Sequence, residues 1–298
     1  MSDMRNSLAV LALTALVSAQ SYVPQRVFDT NANAFVDFET MVAALAAQNV
    51  VFVGEQHDDP NTHRVELAVL EGLARRQKSV IVSLEMFERD TQANVTQYLD
   101  GSIDEPTFLR DARPWPRYAT DYQPLVEFAR SRKWPVVAAN VPRPIAAEVS
   151  KAGWAALTGK TDLEKAWFAQ DRQCPTDDEY FKKFGEAMGT HPAAGTSPEA
   201  AAQMGERFYF AQCLKDETMA ESIVRAHSVE KDPAPVVVHY NGAFHSDYRL
   251  GTAARVRRRV ANARIAIVTM VPVKNLDDVV PTDDQKKRAD YLVFTIGK

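Results

Sequence analysis

Two segments of the sequence place a histidine three residues after a glycine, and each segment follows a run of apolar β-forming residues. The first is Gly-Glu-Gln-His, ending at His57, and the second is Gly-Ala-Phe-His, ending at His245. A glycine lets the chain turn sharply out of a sheet, so the histidine projects over the sheet edge. Two imidazoles with the carboxylates of Glu55 and Glu85 are sufficient to hold a divalent metal, with His57 and His245 as metal ligands, or to carry out acid–base catalysis.

These residues belong to a larger set of polar side chains at the ends of predicted strands. The set comprises Glu55, His57, Glu85, Asn140, His239, Asn241 and His245. In a parallel sheet the carboxyl ends of the strands share one edge, so residues far apart in the sequence meet in one crevice. Loops are polar in any protein, and a single such residue carries little weight. Their repetition at four successive strands indicates a binding or catalytic site.

Other polar residues near these strand ends extend the predicted site. His63 lies on the first turns of the helix after His57 and is expected to face the crevice, whereas His239 is expected to be a core histidine. Arg143 follows the third strand, and its guanidinium is suited to bind a carboxylate of the protein or of a ligand. His191 and His227 are expected to be solvated. The predicted ligand-binding residues are therefore Glu55, His57, His63, Glu85, Asn140, Arg143, Asn241 and His245.

The apolar pattern defines the elements that must position this site. Six short apolar segments predict strands at residues 50–53, 80–84, 136–139, 235–239, 265–271 and 291–295. Segments with helical spacing separate most of them, beginning with a predicted helix over Phe35–Ala47. Strands that are apolar throughout and separated by helices are typical of a sheet covered on both faces. The sequence therefore predicts an α/β fold with a mainly parallel β-sheet flanked by helices.

The middle of the chain shows helical spacing and no strand character. Ser197, followed by proline, predicts the start of a long helix, because serine caps helices and proline is favoured in their first turn. We predict that residues 20–143 and 230–298 form the α/β sheet domain. Residues 144–229 are predicted to be a small helical subdomain inserted into it.

Composition and charge exclude several classes of function. The chain has 298 residues, a formal net charge of -4 and 25% charged residues, so it lacks the basic surface that nucleic-acid binding requires. Its basic cluster, Arg255–Arg259, is predicted to be a solvated helix surface. No glycine-rich phosphate loop follows a predicted strand, which leaves a nucleotide-binding function without residues to support it.

The N-terminus has the pattern of a signal peptide. Arg5 precedes a short apolar run, and small residues at Val17–Ala19 suit a signal peptidase, so residues 1–19 are the predicted signal peptide. The apolar run is too short to span a bilayer comfortably, and no lipidation cysteine follows it. We expect an exported protein without a transmembrane span, soluble in the periplasm where the cell has one.

The chain contains two cysteines, Cys174 and Cys213. In an oxidising compartment they can form one disulfide, and the sequence is equally consistent with two buried thiols. Their spacing does not match a metal-binding motif such as Cys-x-x-Cys.

Five motifs resemble those of the ChaN-like haem-binding proteins, which are exported proteins linked with bacterial iron uptake. They are Val-Gly-Glu-Gln-His-Asp at 53–58 with His63, Leu-Glu-Met-Phe at 84–87, Asn-Val-Pro-Arg at 140–143, Ala-Gln-Cys-Leu-Lys-Asp-Glu-Thr-Met-Ala at 211–220 and Asn-Gly-Ala-Phe-His at 241–245. The resemblance implies a parallel sheet with flanking helices and a small helical subdomain. It also implies haem bound in or beside the crevice, with paired haems across a homodimer as one arrangement.

The chain departs from that family in lacking a lipidation cysteine, and no matched motif contains an obvious axial ligand of haem. Iron in haem-binding proteins usually takes histidine or tyrosine. The tyrosines near the predicted crevice are Tyr118, Tyr122, Tyr209, Tyr240 and Tyr248.

The paired Gly-x-x-His segments also look like those of the TIKI-type metalloproteases and, more distantly, the erythromycin esterases. In a metal-dependent hydrolase His57 and His245 would hold a metal or act as base, while Glu55 or Glu85 would activate water. A third hypothesis is an exported interaction protein whose crevice has lost its chemistry.

Overall fold

The computed structural model describes residues 23–77, 79–189, 197–228 and 234–297. The predicted signal peptide, residues 1–19, and His191 lie outside these ranges. Within them, no helix combines the length and the apolar character that crossing a membrane requires.

The described residues form one eight-stranded sheet. In chain order its strands are β1 (Gln25–Asp29), β2 (Ala34–Val36), β3 (Val50–Glu55), β4 (Val80–Glu88), β5 (Val136–Asn140), β6 (Val236–Gly242), β7 (Ile265–Val273) and β8 (Tyr291–Ile296). Their order across the sheet is β2-β1-β8-β7-β3-β6-β4-β5. Strands β3 to β8 pair in parallel, whereas β1 is antiparallel to β2 and β8. The predicted α/β fold with a mainly parallel sheet is confirmed.

Helices cover the sheet. In the described residues they are α1 (Phe38–Ala46), α2 (Pro60–Ala74), α3 (Gln92–Asp100), α4 (Glu105–Ala112), α5 (Tyr118–Asp121), α6 (Gln123–Arg132), α7 (Arg143–Ala152), α8 (Asp162–Lys165), α9 (Glu179–Met188), α10 (Pro198–His227), α11 (Gly251–Arg259) and α12 (Asp283–Arg288). The predicted start of α10 is confirmed, because the Ser197 side chain accepts a hydrogen bond from the Ala200 amide. Asp59 caps α2 in the same way through the Asn61 amide.

The first predicted helix is wrong at its beginning. Phe35 lies in strand β2, where its ring packs against Phe28 of β1 with centroids 5.1 Å apart. Asp37 then begins α1, since its carboxylate accepts a hydrogen bond of 2.7 Å from the Thr40 amide. An N-cap residue adopts extended backbone angles, so the helix cannot start before it.

Alternate residues of the central strands pack on opposite faces of the sheet. In β3, Val51 and Val53 belong to the core cluster that includes residues of α1, α2 and α6. Val50 and Phe52 belong to the cluster that includes residues of α10 and α11. The two faces are therefore an α2 face and an α10 face, and every residue of β3 is buried between them.

Helix α10 packs with both parts of the predicted domain division. Ala220 and Ile223 pack in the cluster on the sheet, whereas Ala211 and Leu214 pack in a separate cluster with residues of α7. Because one helix packs in both clusters, the structure does not separate the two parts. The division into residues 20–143 plus 230–298 and residues 144–229 stays a prediction.

The two cysteines form a disulfide, which decides between the alternatives that the sequence left open. The Cα atoms of Cys174 and Cys213 are 5.9 Å apart. The bridge ties the segment before α9 to the middle of α10.

Candidate functional site

Glu55 and Glu85 lie at the same edge of the sheet and on opposite faces. Glu55 comes two residues after Val53 and points to the α2 face, where it meets His63. Glu85 of β4 points to the α10 face and meets His245. The sequence predicted one crevice, and the structure divides the site into two groups of side chains, which we call the Glu55 group and the Glu85 group.

The Glu55 group is built around a buried carboxylate. One oxygen of Glu55, Oε1, accepts a hydrogen bond of 2.9 Å from the hydroxyl of Tyr122 and is also bonded to Nδ1 of His57. The other oxygen, Oε2, lies 3.3 Å from Nδ1 of His63. Burial alone raises the pKa of Glu55, but the hydrogen bonds from His57 and His63 outweigh it and lower this pKa to about 2.

Helix α2 adds Glu66 to this group, because residues three apart share one face of a helix. Nδ1 of His63 lies 3.0 Å from Oε2 of Glu66, and Nε2 lies 3.2 Å from the carbonyl oxygen of His57. Burial and the charge of Glu55 raise the pKa of Glu66 well above its usual range. Burial lowers the pKa of His63, but hydrogen bonds to both carboxylates outweigh it and raise this pKa to about 11. The group therefore holds an anionic Glu55, a cationic His63 and a protonated Glu66.

The Glu85 group is centred on His245. Its Nδ1 lies 2.7 Å from Oδ1 of Asp216 on α10, and its Nε2 lies 3.3 Å from Oε1 of Glu85. The backbone amide of Gly242 donates to Glu85 at 2.8 Å. Burial lowers the pKa of His245, but the charges of Glu85 and Asp216 outweigh it and raise this pKa to about 10. The pKa of Glu85 is lowered against the effect of burial, chiefly by the charge of His245.

His57 connects the two groups and is the exposed histidine of the site. Its side chain is 45% exposed, and its ring packs against Trp115 with centroids 5.2 Å apart. The Nε2 atom faces Gly242 so closely that a Cβ atom there would lie 2.6 Å from it. Burial lowers the pKa of His57, but the hydrogen bond to Glu55 and the charge of Glu85 raise it above its usual value.

The other predicted site residues bind groups of the protein itself. The amide of Asn140 donates to the backbone oxygen of Glu85 at 3.1 Å, and that of Asn241 donates to the hydroxyl of Ser246 at 3.1 Å. Arg143 pairs with an internal carboxylate, that of Glu88. Their roles in ligand binding stay predictions.

His239 is a core histidine, as the sequence predicted. It is fully buried, and its Nδ1 lies 2.9 Å from the hydroxyl of Ser83. Burial lowers its pKa to about 3, so it stays neutral. It therefore links β6 to Ser83, which lies two residues before Glu85 on β4.

Sequence reasoning missed two carboxylates of the site, Glu66 and Asp216. The spacing of Glu66, three residues after His63 on a predicted helix, was a signal that could have found it. Asp216 lies within the motif at 211–220, but its spacing in the sequence gives no sign of a partner, and only the packing of α10 on the sheet brings it to His245.

Within the described residues, Glu55, His63 and Glu66 form a group that could hold a metal ion, with one ligand atom from each lying within 4.8 Å of the others. This group differs from the predicted pair His57 and His245. The imidazole–carboxylate pairs of both groups can also donate or accept protons, and His57 is the one placed to exchange them with a bound ligand.

Four of the five tyrosines proposed as axial ligands are buried. They are Tyr118, Tyr122, Tyr209 and Tyr240. Tyr248 is half-buried, and its hydroxyl donates a hydrogen bond of 2.7 Å to Asp284. Burial and this carboxylate raise the pKa of Tyr248 to about 12.

Comparison with protein families decides the relationship. The model of the family described as haem-binding uptake, Tiki superfamily, ChaN matches residues 41–256, which is more than half of the 298 residues. This chain belongs to the ChaN family. The resemblance that the sequence motifs indicated is therefore confirmed.

Solved structures support the ChaN fold. The structure of ChaN of Campylobacter jejuni with cofacially bound haem has a TM-score of 0.68 and 17% identity to this chain, and the match covers 92% of this chain and 97% of that one. An erythromycin esterase in its open conformation has a TM-score of 0.46 at 11% identity, with 92% of this chain and 83% of that one covered. The second likeness is too low to support a functional argument.

A curated plant protein also matches this ChaN family member. Protein RETICULATA-RELATED 5, chloroplastic, of Arabidopsis thaliana is 22% identical over 267 residues, with 84% of this chain covered. The match covers 34% of the plant protein, so the chain spans about a third of the length of that curated relative.

Proposed function

We propose that this protein binds haem at the sheet edge around His57 and serves in haem or iron acquisition as an exported protein. The observation that carries the proposal is membership of the haem-binding ChaN family over residues 41–256. Haem is then the cargo of the protein. The geometry of the edge supports this function in two ways, through an iron ligand and through charged partners for the propionates.

His57 has the features of an axial ligand. It is exposed, and its Nδ1 is held by the carboxylate of Glu55, which leaves Nε2 as the nitrogen for iron. A carboxylate on the distant nitrogen fixes the orientation of a ligating imidazole and raises its basicity. The absence of a side chain at Gly242 lets Nε2 pack against the backbone there, so the ring must turn away from this glycine for iron to reach Nε2. Tyr248 is the alternative donor, with a hydroxyl already bonded to Asp284.

Three half-exposed arginines lie near the same edge and suit the two propionates of haem. Arg117 donates to the backbone oxygen of His57, and Arg143 donates to that of Arg113 at 3.0 Å. The side chains of Arg113, Arg117 and Arg143 are between 47% and 51% exposed, although Arg117 and Arg143 each pair with one carboxylate of the protein and Arg113 pairs with two. A guanidinium has five donors, so these pairs do not exhaust it. Trp115 adds an aromatic surface next to His57.

Haem titration of the purified mature protein tests this function. We expect a shifted Soret band that saturates at micromolar haem in the wild type, and at least tenfold weaker binding in His57→Ala. His227→Ala, which removes a histidine at the end of α10, and Tyr248→Phe should bind as the wild type does. No Soret shift in the wild type would overturn haem binding. If Tyr248→Phe were the variant that loses binding, haem binding would stand as the function, and Tyr248 would replace His57 as the proposed iron ligand.

Export, the periplasmic location and a homodimer are parts of the same proposal. Residues 1–19 support export through their signal-peptide pattern. Expression of the full chain in a Gram-negative host should yield a periplasmic protein beginning at Gln20, and an uncleaved cytoplasmic protein would contradict export. Light scattering with and without haem tests the homodimer.

The second candidate function is metal-dependent hydrolysis. The observation in its favour is that His57 and His245 each bond a carboxylate while the charge of Glu85 acts on both. A divalent metal at His57 and His245, with Glu55 or Glu85 activating water, would be required. Metal-dependent cleavage of ester or peptide substrates that is lost in both His57→Ala and His245→Ala would support it.

A further inference from the structure

The Glu55 group contains possible metal ligands that haem binding at His57 does not use. Glu55, His63 and Glu66 are 2%, 4% and 0% exposed, and their ligand atoms lie within 4.8 Å of one another. Glu55 ends strand β3, while His63 and Glu66 lie on one face of α2. Three donors from two rigid elements are thus held together in the interior.

Two carboxylate oxygens of this group are buried without a hydrogen-bond partner. They are Oε2 of Glu55 and Oε1 of Glu66. Nδ1 of His63 lies 3.3 Å from Oε2 of Glu55 and 3.0 Å from the other oxygen of Glu66, Oε2, so a single N–H group is shared between the two carboxyl groups. Buried polar oxygens normally have partners. A divalent cation between the oxygens would displace the proton of Glu66 and the proton on Nδ1 of His63, and it would give both carboxylates and the imidazole a common partner.

The neighbours of the group orient it as the outer partners of a metal site do. Nε2 of His63 lies 3.2 Å from the carbonyl oxygen of His57 and 3.4 Å from Oδ2 of Asp121. A proton on Nε2 donated to these oxygens leaves Nδ1 as the donor to a metal, which is the usual arrangement of ligating histidines. The Tyr122 hydroxyl fixes the carboxylate of Glu55 in the same manner.

We propose that Glu55, His63 and Glu66 form a binding site for one divalent transition-metal ion, which is distinct from the haem iron and lies beside the haem site, with Glu55 common to both. One imidazole nitrogen and carboxylate oxygens suit Zn²⁺, Mn²⁺ or Fe²⁺, whereas Ca²⁺ and Mg²⁺ prefer oxygen ligands alone. The ion reaches the site past His57, which is bonded to Glu55 and exposed to solvent. Bound there, the ion fixes the end of β3 against α2 and so the position of His57.

The test uses the mature protein, stripped with a chelator and free of haem, and the metals ZnCl₂ and MnCl₂ as probes. We expect about one ion per chain to remain after gel filtration, together with a rise in the melting temperature. In Glu66→Gln the affinity should fall at least tenfold and the rise in melting temperature should disappear. The amide is neutral and has the shape of the protonated carboxyl group, so the metal-free variant should melt at or above the wild-type temperature.

His245→Gln separates this site from the predicted pair His57 and His245. It should retain the ion with wild-type stoichiometry, because His245 belongs to the Glu85 group on the other face of the sheet. The proposal is overturned if the wild type retains neither metal at micromolar concentration. It is equally overturned if Glu66→Gln binds metal as the wild type does, or if His245→Gln is the variant that loses the ion.

Discussion

Asp216 of helix α10 and His245 of the loop after β6 face each other, with Oδ1 2.7 Å from Nδ1 and both side chains buried. The carboxylate also accepts hydrogen bonds from Thr252 at 2.8 Å and from Tyr180 at 2.7 Å. Four elements of the chain thus meet on one aspartate. Removing its charge should leave an imidazolium in the interior with Glu85 as its remaining ionic partner.

We predict that Asp216→Asn lowers the free energy of unfolding by about 3 kcal/mol, because it removes the nearer of the two carboxylates that compensate the buried imidazolium and leaves Glu85, at 3.3 Å, as its single ionic partner. Urea unfolding measures this change. The control is Asp283→Asn, whose side chain is 97% exposed and whose effect should be below about 0.5 kcal/mol. Equal effects of the two substitutions would show that the Asp216–His245 pair contributes nothing to stability.

The same pair predicts a pH dependence of stability. The pKa of His245 is raised from 6.5 to about 10 by Glu85 and Asp216 against the effect of burial. The folded state therefore holds a proton that the unfolded chain releases above about pH 6.5. The resulting stabilisation is complete below pH 6.5 and is lost as the pH rises through about 10. Gln212 and Tyr180, which also face this group, are neutral in that window.

Urea unfolding of the wild type between pH 6 and pH 10 measures this dependence. The free energy of unfolding should fall by a few kcal/mol across the range. In His245→Gln the free energy of unfolding should fall less steeply with pH, whatever the stability of this variant at pH 6. Parallel slopes in the two proteins would assign the dependence to other groups.

Gly242 affects the position of His57 because it has no side chain, and not because of its backbone conformation. Its φ of -54° is open to any residue, but a Cβ atom would lie 2.6 Å from Nε2 of His57. We predict that Gly242→Ala displaces the imidazole, costs about 1 kcal/mol of stability and weakens haem binding at least tenfold. Gly205→Ala is the control, because nothing lies within 4 Å of a Cβ there, and in helix α10 it should add about 0.5 to 1 kcal/mol.

A double-mutant cycle makes this prediction specific to the contact. In a His57→Ala background the imidazole is gone, so Gly242→Ala should no longer destabilise the protein. A penalty that persists in that background would place the clash elsewhere, for example on the backbone.

Much of the fold could be predicted from the sequence because short segments specify most of its strands and the start of its long helix. The six parallel strands were found as apolar runs, and the start of α10 was found from Ser197. Strands β1 and β2 were missed, since β1 pairs with β8 from the far end of the chain. That pairing is a tertiary contact, and no local signal specifies it.

The sequence indicated which polar residues gather at the sheet edge, but it did not indicate how they divide between the two faces of the sheet; their role as a binding site stays a prediction. Period two along β3 and β4 already places Glu55 and Glu85 on different faces, but the faces are known only once helices α2 and α10 are packed on them. The prediction of a solvated basic surface at Arg255–Arg259 was wrong for Arg255, which is buried with its Nε 3.2 Å from the carboxylate of Glu217. Net charge along a helix does not reveal a buried acidic partner.

The disulfide between Cys174 and Cys213 leads to the last prediction. It closes a sequence separation of 39 residues, and the chain-entropy relation for such a loop gives about 4 kcal/mol of stabilisation. Urea unfolding with a reductant should therefore show the midpoint at a lower urea concentration than without it. The reductant should have no effect on a variant that combines Cys174→Ser with Cys213→Ser. Because Cys213 lies one turn before Asp216 on α10, reduction should also lessen the pH dependence attributed to His245. An unchanged midpoint, with two free thiols titrated in the untreated protein, would show that the bridge is absent.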